Sequence, residues 1–185
     1  MNKEFILASN SPRRNELLKL LDIKFTVLAS DICEEIMNDL TNEEVVMDLA
    51  LQKAKHISGL HPNHYVLGFD TLVILNNTPL GKPVDDQDAF RMLKALSGKT
   101  HTVLTGCAIV KGSFEEIFYD SAEVEFAELT DDEIYQYIAS KEPFDKAGAY
   151  GIQGIGAKFI KKINGDYYSV MGMPVHKLYH RLKNL

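Results

Sequence analysis

The sequence predicts a mixed α/β fold, and three observations predict it. Apolar runs of strand period alternate with helical stripes along the chain. Helix N-cap residues stand between them. Two central strands end in tight turns, Asn76-Asn77-Thr78-Pro79 and Gly112-Ser113, which argues against a purely parallel sheet.

Each element has its own signal. Phe5–Ala8 is a short apolar strand, and Ser11 caps a helix that starts at Pro12 and carries Leu17, Leu18, Leu20 and Leu21. Phe25–Ala29 reads as a second strand. Thr41-Asn42-Glu43-Glu44 is a capping box for a helix to about Ser58. Tyr65–Leu75 is a long strand, and Asp85 or Asp86 caps a helix through Leu96 that stops at Gly98. Thr102–Val110 and Ile117–Phe126 flank the Gly112-Ser113 turn. A second capping box, Thr130 to Glu133, opens a helix with Ile134, Tyr137 and Ile138. A glycine-rich loop, a strand over Phe159–Ile163 and a helix from about Pro174 complete the chain. With no repeat or linker, the 185 residues are expected to form a single domain, 1–185.

Composition excludes several function classes. Of the residues, 26 are acidic and 20 basic, a formal charge of −6, which gives no general attraction for a phosphate polymer. Cys33 and Cys107 form no CxxC and read as ordinary buried cytosolic thiols. No stretch reaches the ~18 apolar residues of a membrane span. The opening Met1–Leu7 is too short and too charged for a signal peptide, so a cytoplasmic location is expected, with no nucleic-acid or membrane partner.

Five places carry chemistry. Ser9-Asn10-Ser11-Pro12-Arg13-Arg14 puts two hydroxyls and two guanidiniums at a helix N-terminus, where free N–H groups favour an anion. The alternative is a capped helix with solvated arginines. Lys53 shares an apolar helix face with Val46, Leu49, Ala50 and Ile57, so it either snorkels outward or points into a site. Asp70 interrupts an almost continuous apolar strand and must be neutral, paired or liganded. It suits a metal ligand or a general base, or a strand-end Asp bonding nearby N–H groups. Gly81-Lys82-Pro83 offers a charge beside a stiff turn, a pattern that also describes any surface turn. In Lys146–Gly156, four glycines surround Tyr150 and Gln153, as in a loop that packs backbone against a flat ligand or in a long connection needing positive φ. His176 and His180 have i, i+4 metal spacing but also suit a solvated helix end. The Walker A, GxSxG, HExxH and EF-hand patterns are absent.

In order and spacing, these pieces resemble the Maf-like family of nucleoside triphosphate pyrophosphatases. The resemblance runs from Ile6-Leu7-Ala8-Ser9-x-Ser11-Pro12-Arg13-Arg14 through Leu49-Ala50-x-x-Lys53-Ala54, Asp70-Thr71 and Leu80-Gly81-Lys82-Pro83. It continues over Glu142-Pro143-x-Asp145-Lys146-Ala147-Gly148-Ala149-Tyr150-Gly151-Ile152-Gln153-Gly154 to Gly172-x-Pro174. It implies a mixed elongated sheet with flanking helices, two lobes around a deep cleft, and similarity to inosine triphosphatases. It also implies hydrolysis of a nucleoside triphosphate between the α and β phosphates. Asp70 then resembles the proton acceptor, and Ser9, Arg13, Arg14, Lys53 and Lys82 resemble triphosphate ligands. Glu34 with Asp70 would hold Mg²⁺ or Mn²⁺. Arg13, Thr71 and Gln153 together resemble the branch acting on dTTP and UTP. A homodimer is implied, as is an alternative role in septum regulation by binding without turnover. Asp22, Phe69 and Met173 depart from the family pattern.

Overall fold

The computed structural model describes residues 3–37 and 39–185. Met1 and Asn2, part of the charged opening segment, lie outside the described residues. Strands are β1 (Phe5–Ala8), β2 (Phe25–Val27), β3 (Tyr65–Leu75), β4 (Thr78–Leu80), β5 (Thr100–Lys111), β6 (Phe114–Phe126) and β7 (Ile160–Gly165). Helices are α1 (Pro12–Lys19), α2 (Asn42–Leu60), α3 (Asp86–Leu96), α4 (Asp131–Ala139), α5 (Tyr167–Val170) and α6 (Val175–Lys183). The strands form one sheet in the order β2-β1-β3-β5-β6-β7, with β4 paired to β3. β1 is parallel to β2 and β3, whereas β4 is antiparallel to β3 and β7 to β6. The sheet is therefore mixed, as the sequence predicts.

Local chemistry explains most boundaries. Ser11 caps α1 by accepting from the Arg14 N–H, and Thr41 and Thr130 form full capping boxes with Glu44 and Glu133. The turn after β3 is only Asn76-Asn77, both at positive φ, so Thr78 and Pro79 already belong to β4. Asparagine tolerates that backbone, and Pro79 sits on a three-residue strand off the main path of the sheet. Asp22, where the family pattern favours glycine, also stands at positive φ. Two features escape the periodicity argument: the four-residue helix α5, and three short 3-10 turns across Glu142–Asp145, Ala147–Ala149 and Ile155–Phe159. Cys107 is buried, but Cys33 is exposed because the segment after β2 runs irregularly. No helix among the described residues is long and apolar enough to cross a membrane.

The chain divides into two compact units. The first comprises Met1–Thr71, Thr105–Asp120 and Gly172–Leu185. Its helix α2 lies on the sheet through Ala50, Ala54 and Ile57 against Ile6, Ala8, Val66, Ala108 and Val110. Two glycines permit that close approach. A Cβ on Gly68 would stand 2.2 Å from the Ala50 carbonyl oxygen, and one on Gly106 would stand 2.1 Å from that of Val46. The second unit comprises Leu72–Leu104 and Ser121–Met171. There α3 and α4 bury Met92, Leu93, Leu96, Ile134, Tyr137 and Ile138 with Val73, Val103, Val124 and Phe126.

Candidate active site

The first unit gathers most of the charged residues singled out in the sequence. Because α2 lies so close to β3, Lys53 reaches along the sheet and its ammonium meets Asp70 Oδ1 at 2.5 Å. The same ammonium pairs with Glu34 Oε1 at 2.9 Å. The side chains of Lys53 and Asp70 are only 14% and 13% exposed, against 43% for Glu34. Of the two readings of Lys53, the inward one holds. Asp70 is paired, as a carboxylate in an apolar strand requires, and its Oδ2 accepts no hydrogen bond from the described residues.

The strand-to-helix turn behind this triad is organised by Arg14. Its Nε donates to the Gly172 carbonyl at 2.9 Å, Nη1 to Ser9 Oγ at 3.3 Å, and Nη2 to Thr71 Oγ1 at 3.1 Å. The Thr71 hydroxyl lies 3.0 Å from that of Thr105. Burial pulls the Arg14 guanidinium below the ordinary arginine pKa, while the Asp70 charge opposes that drop. Arg14 thus directs three of its N–H donors to internal acceptors. Ser9 is buried and also accepts from the Ser11 N–H at 3.2 Å. Phe69, a departure from the family pattern, is fully buried and lies under Arg14, 5.8 Å from guanidinium carbon to ring centre.

Lys82 and Gln153 belong to the second unit, and both are exposed. Gln153 lies at the tip of the glycine-rich loop, and its side chain makes no hydrogen bond to the described residues. The base of that loop is held by two groups that sequence reasoning did not single out for a role. Glu142 Oε1 accepts from the Tyr137 hydroxyl at 2.9 Å and the Gly156 N–H at 3.2 Å, and Oε2 accepts from the Ile155 N–H at 2.9 Å. The Tyr137 oxygen in turn accepts from the Gly151 N–H at 3.1 Å. Burial alone would raise the Glu142 pKa, but these donors and the Lys146 charge bring it below its ordinary value. The available signal was Tyr137, a hydroxyl on the apolar stripe of α4. Below the loop, the buried His101 Nε2 lies 2.7 Å from the Tyr150 hydroxyl, and burial lowers the His101 pKa to about 4.

No group of three or more His, Cys, Asp or Glu among the described residues could hold a metal ion. The carboxylates of Glu34 and Asp70 do converge on one cationic point, the Lys53 ammonium. Two oxygen donors at such a point fit a hard divalent cation, which binds through one or two carboxylates when a substrate's phosphates complete its shell. His176 and His180 are exposed on α6, with ring centres 4.5 Å apart.

The Maf-like protein family profile matches residues 4–185. A dTTP/UTP pyrophosphatase of Bacillus cytotoxicus is 51% identical over 181 residues, 98% of this chain and 95% of its own length. One from Bacillus cereus is 49% identical over the same shares. Among solved structures, a HAM1 protein from Coxiella burnetii matches with a TM-score of 0.54 at 20% identity, covering 99% of this chain and 100% of its own. The Staphylococcus aureus Ham1 protein gives 0.54 at 14%, covering 98% and 99%. These two likenesses support the mixed α/β fold. The family match, spanning nearly the whole chain, carries more: the chain belongs to the Maf-like protein family.

Proposed function

We infer that the protein is a nucleoside triphosphate pyrophosphatase acting on dTTP and UTP, a hydrolase of house-cleaning nucleotide metabolism. The activity is that of relatives about half identical over 98% of the chain. The observation that carries the chemistry is the pairing of Asp70 with Lys53 beside Glu34.

Asp70 is the proton acceptor. Lys53 holds Oδ1 at 2.5 Å, which fixes the carboxylate and leaves Oδ2 for a water molecule. That water attacks the α-phosphorus in line and gives its proton to Asp70. A new bond forms between the water oxygen and phosphorus, the bond to the bridging oxygen breaks, and pyrophosphate leaves. Ser9, Arg13 and Lys53 meet the triphosphate charge, which is about −4 and must be neutralised before a nucleophile can approach. Arg14 acts from behind, holding Ser9 and Thr71 in place. Gln153 reads the pyrimidine edge, for which its amide offers both an NH₂ donor group and a carbonyl acceptor. Asp70 and Glu34 would hold a divalent cation, Mg²⁺ or Mn²⁺, which would supply neutralisation of the phosphate charge. The setting we propose is a cytoplasmic homodimer with no nucleic-acid partner.

Pyrophosphate release from a panel of nucleoside triphosphates, with and without Mg²⁺ or Mn²⁺, tests the reading. Release from dTTP and UTP that depends on the cation supports it; release from purine nucleotides alone contradicts it.

A further inference from the structure

We propose that Glu142 and Tyr137 are positioning residues that set nucleotide selectivity by fixing the loop that carries Gln153. The inference deepens the functional reading above and rests on it, since it takes Gln153 as the base-reading group.

The argument begins with the loop itself. Gly148 and Gly154 both have positive φ, and between them the backbone follows no regular ladder that would hold residues 151–154. Its order must come from elsewhere. The Glu142 carboxylate supplies it by accepting three hydrogen bonds, two of them from the consecutive N–H groups of Ile155 and Gly156. The Tyr137 hydroxyl completes the circuit, donating to Glu142 and accepting from the Gly151 N–H. The chain is therefore clamped on both sides of Gln153, two residues before it and two and three after it. Gln153 itself stays exposed and without a hydrogen bond among the described residues. A side chain that must choose between similar base edges needs a fixed stem, because a slack stem lets its amide meet either pattern.

The clamp also explains why the surrounding positions are small. A Cβ on Gly154 would lie 2.7 Å from Glu142 Oε2, and one on Gly156 would lie 2.8 Å from the Tyr137 oxygen. Glu142 is anchored in turn by its backbone, whose carbonyl accepts from the Lys146 ammonium at 2.6 Å. The Tyr137 ring is fully buried and stands edge-on to Phe159, 5.1 Å between centres, so the hydroxyl has a rigid mount. The carboxylate must be an acceptor at both oxygens. Glu142→Gln keeps the shape but turns one end into a donor that faces N–H groups.

The test compares wild type, Glu142→Gln, Tyr137→Phe, Gln153→Ala and the double variant Glu142→Gln/Gln153→Ala, using UTP and CTP as probes. Amide hydrogen exchange over residues 151–156 is the second readout. Glu142→Gln and Tyr137→Phe should each lower the UTP-over-CTP ratio of kcat/KM roughly tenfold, mainly through KM for UTP, and speed exchange at Ile155 and Gly156. The double variant should be no less selective than Gln153→Ala alone, since the two residues act through one route. Full wild-type selectivity in both Glu142→Gln and Tyr137→Phe, or losses that add to that of Gln153→Ala, would overturn the proposal. An unchanged ratio in Gln153→Ala removes the base-reading assignment itself, and the proposal with it. That failure differs from the first, in which Gln153→Ala loses selectivity while the clamp variants keep it.

Discussion

In the first unit, Asp70, its partner Lys53 and the Arg14 network rise from or border regular structure. Ser9 follows β1, Arg14 stands in the first turn of α1, Lys53 projects from α2, and Asp70 and Thr71 lie within β3. In the second unit, Gln153 stands on a loop with no ladder of its own, held by one carboxylate and one phenol. The contrast teaches a division of labour. The buried pair Lys53–Asp70 is mounted on rigid elements, where a displacement of Lys53 would leave a shielded carboxylate unpaired, while Glu34, the third partner, stands on the irregular segment after β2. The group that reads a neutral base edge is mounted on a segment whose precision depends on a few hydrogen bonds.

The sharpest way to break the comparison is at Asp70. Asp70→Asn should cost on the order of a thousandfold or more in kcat with the fold retained, because the amide keeps the shape and Glu34 still pairs with Lys53. A comparably severe loss of kcat from Gln153→Ala would erase the distinction between the units. Next in size is the seat of α2. Gly106→Ala forces a Cβ against the Val46 carbonyl, so urea unfolding should show a loss of about 3 kcal/mol. It should also weaken activity by moving Lys53.

Arg14→Met comes third, with an expected loss of about 2–3 kcal/mol. It strands the Gly172 carbonyl and unpins Ser9 and Thr71, so thermal unfolding and KM should both respond. A phosphate-gripping role alone would move KM and leave stability untouched. The smallest effect concerns pH in the second unit. The pKa of His101 falls from 6.5 to about 4 on burial, so the folded protein keeps it neutral. The unfolded chain binds the extra proton between those values, and stability present above pH 6.5 is lost as pH falls toward 4. His101→Phe removes that proton uptake. The stability of wild type minus that of the variant should fall from pH 7 to pH 4.5 in urea titrations, and a constant difference would contradict the assignment.

How much of this was legible in the sequence follows from how each residue announces itself. Asp70 did so by breaking an apolar strand, and Lys53 by standing on an apolar stripe; both signals are local. The capping boxes at Thr41 and Thr130 are local as well, and those helices begin where the pattern places them. Arg14 could not be told from Arg13, because its fate depends on Gly172, 158 residues away. Glu34 lies in a segment without period, so only the resemblance pointed to it. The Glu142 clamp was hidden for a different reason: its partners are mostly backbone N–H groups, which every residue carries. Helix α5 is four residues long, below the span over which helical period can be read.

The most direct test of the central claim is pyrophosphate release from UTP and dTTP by the wild-type protein beside Asp70→Asn. Cation-dependent release that vanishes in a folded Asp70→Asn variant is the predicted result. Equal release from both proteins, or tight nucleotide binding with no release from either, would contradict it.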